Sequence, residues 1–160
     1  APRPQPPHGA ARLQPPSIIV WSTGNEAGNG PNFERCYDWI KGFDPSRPVQ
    51  YEQASYHKDY NTDIVCPMYW SYEQCEKYLA ENPAKPLIQC EYAHAMGNSM
   101  GGFREYWELI RREPKYQGGF IWDFVDQSLH KKGRNGVRST ATEATGTPTT
   151  LRTRTSATTA

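Results

Sequence analysis

The sequence predicts an α/β fold in which helices cover a parallel sheet, and three observations support this prediction. Short apolar runs typical of buried strands alternate with segments of helical periodicity. The strand-like runs are apolar on both faces, as strands of parallel sheets are. Charged or polar-tipped residues stand where several of these runs end, and α/β sheets and barrels place their functional groups there.

Five strands are predicted from runs of apolar and β-branched residues, at 18–22, 49–52, 63–69, 87–92 and 119–125. Five parallel strands fit either an open sheet or part of a barrel. A complete (β/α)8 barrel takes about 250 residues, so this chain of 160 residues contains only part of one if it is a barrel.

Three helices are predicted between the strands, at 31–41, 71–81 and 99–112. Pro31 suits the first turn of the first helix, and Gly42 suits its end. Asn98 or Ser99 is the expected cap of the third helix, which Pro114 ends. The segment between residues 52 and 63 shows no clear helix.

Both ends of the chain are predicted to be disordered, which leaves residues 17–129 as the folded domain. Residues 1–16 contain six prolines and residues 139–160 contain ten threonines, so neither segment can bury enough apolar surface to offset the entropy of ordering. We assign residues 130–160 to the second tail. The four cysteines form no Cys-x-x-Cys pair and are expected to be buried free thiols.

Charge and hydropathy argue against two classes of partner. The formal net charge of +1 gives no electrostatic reason to expect nucleic acid or a membrane surface. No apolar run reaches the ~18 residues of a membrane span, and no signal-peptide pattern is seen. A cytoplasmic location is the resulting expectation.

Two glutamates are the strongest candidates for chemistry. Glu26 follows the apolar run at 17–22 and stands beside Asn25, and Glu91 directly continues the run at 87–90. If both face one pocket, they suit the acid and the nucleophile that cleave a glycosidic bond. The alternative for Asn25 and Glu26 is a capping pair at the start of the following helix.

Three further residues stand near the ends of these runs. Tyr69 is placed to hydrogen-bond a nucleophilic carboxylate and tune its ionisation. Trp122 is placed to stack on a sugar ring, and His94 to bind a hydroxyl. Ordinary aromatic packing, or a structural role for His94, remains the alternative in each case.

Residues 17–129 resemble the catalytic barrel of the family 2 glycoside hydrolases, and within that family the large bacterial lactose-cleaving β-galactosidases. The resemblance is carried by SIIVWSTGNEAGNG, DPSRPVQYE, DIVCPMY, PLIQCEYAHAMGNSMGGFREYW and QGGFIWDFVDQSL. The string CEYAHAMGNS is its most specific part, because related β-glucuronidases and β-mannosidases share the catalytic glutamates but not this string.

The resemblance implies a retaining double displacement, with Glu26 as general acid/base after the fourth barrel strand and Glu91 as nucleophile after the seventh. It implies that Tyr69 bonds the nucleophile. The residues implied to contact or enclose the galactosyl group are Asn25, Met68, His94 and Trp122. The family's Mg²⁺ and Na⁺ sites are implied as well, with Glu26 as a magnesium ligand and most other ligands absent from this chain. Relatives are often homo-oligomeric.

The chain departs from the family pattern by matching only the fourth to the eighth barrel strands. We hypothesise that both tails are out-of-frame translations of family sequence. Gln14-Pro15-Pro16 replaces an expected Asn-His-Pro, and residues 140–145 and 153–157 yield family-like strings in one shifted frame. A genuine low-complexity tail is the alternative. For function, an inactive or sugar-binding remnant and a glucuronide or mannoside preference also stay open.

Overall fold

The computed structural model describes residues 16–95, 99–123, 125, 129–132 and 138–141. It divides the chain into two compact units, residues 1–122 and 123–160. The first unit holds four named strands, which are β1 (Trp21–Ser22), β2 (Val49–Gln50), β3 (Leu87–Tyr92) and β4 (Tyr116–Ile121). It also holds four helices, α1 (Pro31–Phe43), α2 (Glu52–His57), α3 (Tyr72–Ala80) and α4 (Phe103–Arg112).

The strands of the first unit pair in parallel and in chain order. β1 pairs with β2, with Trp21 opposite Val49, and β3 pairs with β4, with Leu87 opposite Tyr116. Isolated parallel bridges join the two pairs, from Gln50 to Ile64 and from Val65 to Leu87. This order confirms the predicted α/β class with parallel strands. The described strands do not close into a barrel.

Only Trp21–Ser22 of the first predicted strand forms a ladder, so the prediction of 18–22 is too long. Trp21 donates its N–H to the Pro48 carbonyl, but the Ile18 carbonyl accepts from the Arg47 side chain instead of a strand. Ile19 is 73% exposed, because no described strand covers the outer side of β1. The apolar run therefore forms a strand only at its end, and that strand is half-buried at Trp21 and exposed at Ser22.

The third predicted strand, 63–69, is not a regular strand. Its backbone follows β3 closely, with Val65 donating to Pro86 and Ile88 donating back to Val65. Pro67 has no N–H and interrupts the ladder. Two backbone N–H groups of the segment donate to side chains rather than to a neighbouring strand. The Cys66 N–H donates to Ser55 Oγ, and the Met68 N–H donates to Tyr56 Oη.

Strand β3 matches its prediction at both ends, whereas β2 and β4 require corrections. The predicted strand at 49–52 is shorter in the structure, where β2 ends at Gln50. Helix α2, which the sequence did not predict, begins at Glu52. Six residues are too few for a helical period to show. Strand β4 begins at Tyr116 and ends at Ile121, three residues earlier at its start than predicted, and Trp122 and Asp123 lie in a turn.

The other helices lie close to their predictions. Helix α1 begins at Pro31 as expected but continues through Gly42 to Phe43. Helix α3 has a complete capping box, in which Ser71 and Gln74 each bond the other's backbone N–H. Helix α4 begins at Phe103 after a left-handed Gly102, so the expected capping role of Ser99 is wrong, and Asn98 lies outside the described residues.

The core of the first unit lies where α3 and α4 pack on β3 and β4. Its buried members are Cys75, Leu79, Leu87, Leu109 and Tyr116. On the opposite side, a cavity of about 530 Å³ is lined largely by apolar residues that include Ile64, Ile88 and Phe120. Phe120 is 65% exposed there. Side chains from other strands would fill this interior face in a closed barrel.

The second unit contains an antiparallel pair, β5 (Leu129–Lys132) and β6 (Arg138–Ala141). The sequence predicted disorder from residue 130 onwards, and these two segments depart from that prediction by pairing through backbone hydrogen bonds. The four cysteines are free. Cys66 and Cys75 are buried as expected, but Cys90 is half-buried and Cys36 is exposed. No helix within the described residues is long and apolar enough to cross a membrane.

Candidate active site

Glu91 and Tyr69 form the best-defined contact among the predicted site residues. Glu91 lies near the end of β3, and Tyr69 ends the segment that runs beside it. The Tyr69 hydroxyl donates a hydrogen bond of 2.6 Å to Glu91 Oε2. The Tyr69 N–H also donates to the Glu91 carbonyl at 2.9 Å, so both main chain and side chain hold the two residues together.

Glu26, in the loop that follows β1, has an electrostatic effect on the same tyrosine. The pKa of Tyr69 is raised well above its ordinary value, first by burial, then by its hydrogen bond to Glu91 and by the negative charges of Glu91 and Glu26. Glu26 is therefore close enough to exert its charge on the hydroxyl that bonds Glu91. The hydroxyl is protonated at neutral pH, as in any tyrosine, and is the donor in the bond to Glu91.

Two more predicted residues adjoin this pair. The ring of His94 lies 5.9 Å from the ring of Tyr69, centroid to centroid, at an angle of 51°. Met68 bridges to Glu91 in the parallel register and is half-buried. His94 and Met68 thus flank Tyr69 and Glu91 on the same edge of the sheet.

Trp122 and Asn25 are placed less directly. Trp122 follows β4 in a turn, and its main chain bonds the carbonyl of Tyr92 and the N–H of Ala95. It is therefore tied to the loop that carries His94. Asn25 is exposed beside Glu26 in the loop after β1. The capping alternative for Asn25 and Glu26 does not hold for α1, whose N-cap is Gly30.

Three of the loops at this edge contain a non-glycine residue in the left-handed conformation. The φ angles are 48° for Glu26, 53° for Tyr69 and 51° for Ala93. Each costs roughly 1–3 kcal/mol, and such residues cluster at functional sites because the surroundings must hold them in place.

One residue near the site was not predicted from the sequence. Glu52 is 1% exposed, and its Oε1 accepts the main-chain N–H of Glu26 at 2.6 Å. The signal that selected Glu91, a carboxylate directly continuing a strand-like run, was equally present in Val49-Gln50-Tyr51-Glu52. The sequence assigns Glu52 to the predicted strand at 49–52, whereas the structure places it at the start of α2.

The implied magnesium site is not assembled by the residues that the structure describes. Within those residues, no group of three or more His, Cys, Asp or Glu side chains is arranged to hold a metal ion. Magnesium and sodium binding stay predictions, and no reaction step described below passes through a metal.

The family model for glycosyl hydrolases family 2, TIM barrel domain, matches residues 11–145. The match covers most of the chain and extends beyond residues 17–129 at both ends, into segments that the sequence analysis assigned to the tails. Parallel strands in chain order, joined by helices, are the arrangement that a TIM barrel requires of consecutive strands. The out-of-frame hypothesis for the tails stays a prediction that the nucleotide sequence across both junctions tests. The chain belongs to the glycosyl hydrolases of family 2 and carries part of their TIM barrel domain.

Proposed function

We propose that this chain carries the catalytic centre of a retaining β-galactosidase, with terminal β-D-galactosides such as lactose as substrates. One observation carries the proposal. The Tyr69 hydroxyl bonds Glu91 near the end of β3, and the negative charge of Glu26, in the loop after β1, contributes to the raised pKa of the same tyrosine. Paired carboxylates in such a position are what glycoside hydrolysis requires.

In the proposed first step, Glu91 attacks the anomeric carbon while Glu26 donates a proton to the departing glycosidic oxygen. The bond to the aglycone breaks, and an ester forms between the sugar and Glu91. Tyr69 occupies Oε2 of Glu91, which leaves Oε1 available for the attack. The tyrosine hydrogen bond also holds the carboxylate in one orientation.

In the second step, Glu26 is a carboxylate and accepts a proton from water as the water attacks the anomeric carbon of the ester. Galactose leaves with its anomeric configuration retained, and Glu91 is regenerated. Asn25, Met68, His94 and Trp122 are proposed to contact or enclose the sugar. The preference for galactose rests on the resemblance of CEYAHAMGNS, which includes Glu91 and His94.

The proposal is tested by comparing hydrolysis of the 4-nitrophenyl β-glycosides of galactose, glucuronic acid and mannose. We expect release of nitrophenol from the galactoside, and a loss of at least a thousandfold in Glu91→Gln, because the amide cannot act as the nucleophile. The matched control is Glu76→Gln, whose carboxylate pairs with Arg112 on the helices. Hydrolysis that survives Glu91→Gln, or a preference for another sugar, would contradict the proposal.

A second candidate function, a sugar-binding domain without turnover, is favoured by the open edge of the sheet. Ile19 and Phe120 are exposed where further barrel strands would cover them, and the pocket wall on that side is not among the described residues. Binding of galactose that is equal in the unmodified chain and in Glu91→Gln, without hydrolysis in either, would favour this alternative. Calorimetric titration with galactose measures it directly.

A further inference from the structure

Among the buried residues that the structure describes, Glu52 is the one whose side chain bonds the main chain of a proposed catalytic residue. It is the first residue of α2 and is 1% exposed. A carboxylate in such a place requires a compensating partner. That partner is the N–H of Glu26, 26 positions earlier in the chain, at 2.6 Å. The bond therefore connects the loop after β1 with the first residue of α2.

The loop that carries Glu26 is held at several points by the segment that contains Glu52. Gly24 lies against the rings of Phe33 and Tyr51, which would be 3.2 and 3.5 Å from a Cβ at that position. The Tyr51 hydroxyl donates to the carbonyl of Gly28. Contacts on both sides thus anchor the loop, and Glu52 bonds the residue at its centre.

Glu26 requires such a bond because its backbone is strained. With φ at 48°, it adopts a conformation that residues with a Cβ avoid. Its side chain is exposed, so packing of that side chain does not hold it. A hydrogen bond from its N–H to a buried charged acceptor is stronger than one to a neutral group and favours the strained state.

We infer that Glu52 is a positioning residue that holds Glu26 in its left-handed conformation at the edge where Tyr69 and Glu91 meet. The catalytic consequence rests on the proposed function, in which Glu26 is the general acid/base. The hydrogen bond between Glu52 and Glu26 is independent of the proposed function. An acidic residue in the first turn of a helix also interacts favourably with the helix dipole, and the experiment must separate this role from positioning.

The experiment uses Glu52→Met, which removes the acceptor, and Glu52→Gln, which retains a neutral one. Glu73→Met is the matched control, since Glu73 is the acidic residue in the first turn of α3. Two quantities are measured for each variant. One is the exchange rate of the Glu26 amide proton by NMR, and the other is kcat/KM for phenyl and for 2,4-dinitrophenyl β-D-galactoside.

The two galactosides separate acid catalysis from general damage. Phenoxide is a poor leaving group and needs a proton from Glu26, whereas dinitrophenoxide leaves without one. In Glu52→Met we expect the Glu26 amide to exchange at least tenfold faster. We expect kcat/KM for the phenyl galactoside to fall about 10–100-fold, because misplacing a general acid costs this much, and the dinitrophenyl value to stay nearly unchanged.

Glu52→Gln is expected to show the same selective loss at roughly threefold to tenfold, because neutral acceptors bond more weakly. This variant decides the question if Glu52→Met does not fold. Glu73→Met should leave the ratio of the two kcat/KM values and the Glu26 exchange rate unchanged. Unchanged Glu26 exchange in the Glu52 variants, or an equal loss on both galactosides, would overturn the inference. If the unmodified chain hydrolyses neither galactoside, the proposed function fails, while amide exchange still decides whether Glu52 holds Glu26.

Discussion

The hydroxyl of Tyr69 and the carboxylate of Glu91, 22 positions apart in the chain, are joined by a hydrogen bond of 2.6 Å. The tyrosine ends an irregular segment and the glutamate lies near the end of β3, so the bond depends on the parallel alignment of the two. This contact, together with the charge of Glu26 on the same hydroxyl, is the basis for assigning chemistry to this edge of the sheet.

Replacing Tyr69 by phenylalanine removes the hydroxyl and keeps the ring. Because a hydrogen bond to a charged group contributes about 1.5–3 kcal/mol, we expect kcat/KM for 4-nitrophenyl β-D-galactoside to fall roughly 10–100-fold. Tyr60→Phe is the control, since its hydroxyl makes only a 3.4 Å contact with Asp38 at the surface. Equal kcat/KM in Tyr69→Phe and Tyr60→Phe would show that the Tyr69 hydroxyl has no role in the active site.

Ala93→Gly tests the backbone strain at the site edge. Ala93 has a φ of 51°, and glycine adopts this conformation without steric cost, so we expect unfolding free energy to rise by about 1 kcal/mol. Ala54→Gly is the opposite control, because Ala54 lies buried within helix α2 and glycine should destabilise it by about 1 kcal/mol. Urea denaturation measures both changes, and a shift of the same sign in both would contradict the strain at Ala93.

Asp63 connects helix α1 to strand β2. Its carboxylate accepts hydrogen bonds from the Tyr37 hydroxyl at 2.6 Å, the Val49 N–H at 2.9 Å and the Lys41 ammonium at 3.0 Å. We expect Asp63→Asn to lose about 1–2 kcal/mol of unfolding free energy, because the bonds become weaker and the ion pair is lost. Asp38→Asn, at the surface, should change stability by less than about 0.5 kcal/mol.

Asp63 should also contribute to the loss of stability in acid. Burial raises the pKa of Asp63, but the bonds from Tyr37, Val49 and Lys41 outweigh it and leave the pKa below its ordinary value. The stabilisation is therefore present above the unfolded pKa of about 3.9 and is lost as pH falls through the folded pKa. In Asp63→Asn this part of the pH dependence should be absent, and an unchanged acid profile would contradict the assignment.

Cys75 provides a test of the core. Burial raises the pKa of its thiol to about 11, with a weaker opposing effect of Tyr116. The folded state thus holds this proton more tightly, and the thiol's contribution to stability falls as pH rises from about 9 towards 11. At pH 8, iodoacetamide should modify exposed Cys36 and spare Cys75 in the folded chain. Equal labelling of the two by peptide mass mapping would show that the core does not form as described.

The features that could be predicted from the sequence are those with a strong local signal. The run 87–92 has apolar residues followed by Glu91 and Tyr92, and it forms β3 with the predicted ends. Helix α3 carries a complete capping box and an apolar stripe, and it differs from its prediction only by its caps. Both predictions used only features within the element itself and did not depend on knowing which distant residues it contacts.

The features that the sequence did not reveal depend on contacts between distant residues. The side chains of Ser55 and Tyr56, in α2, accept hydrogen bonds from backbone N–H groups of the segment at 63–69. These bonds depend on the packing of α2 beside that segment, which the sequence does not show. The left-handed conformations of Glu26 and Tyr69 have no composition signal, because neither residue type favours them. Glu52 continues a strand-like run as Glu91 does, but its hydrogen bond to Glu26 spans 26 positions and is not visible in the sequence.

Glu91 is proposed to form a covalent bond to a galactosyl carbon, and trapping that ester tests this role most directly. The chain is incubated with 2,4-dinitrophenyl 2-deoxy-2-fluoro-β-D-galactoside, whose leaving group permits attack and whose fluorine slows hydrolysis of the ester. We predict the mass gain of one fluorogalactosyl group, located at Glu91 by peptide mapping and absent from Glu91→Gln. No adduct in the folded chain, or an adduct on a residue other than Glu91, would contradict the account.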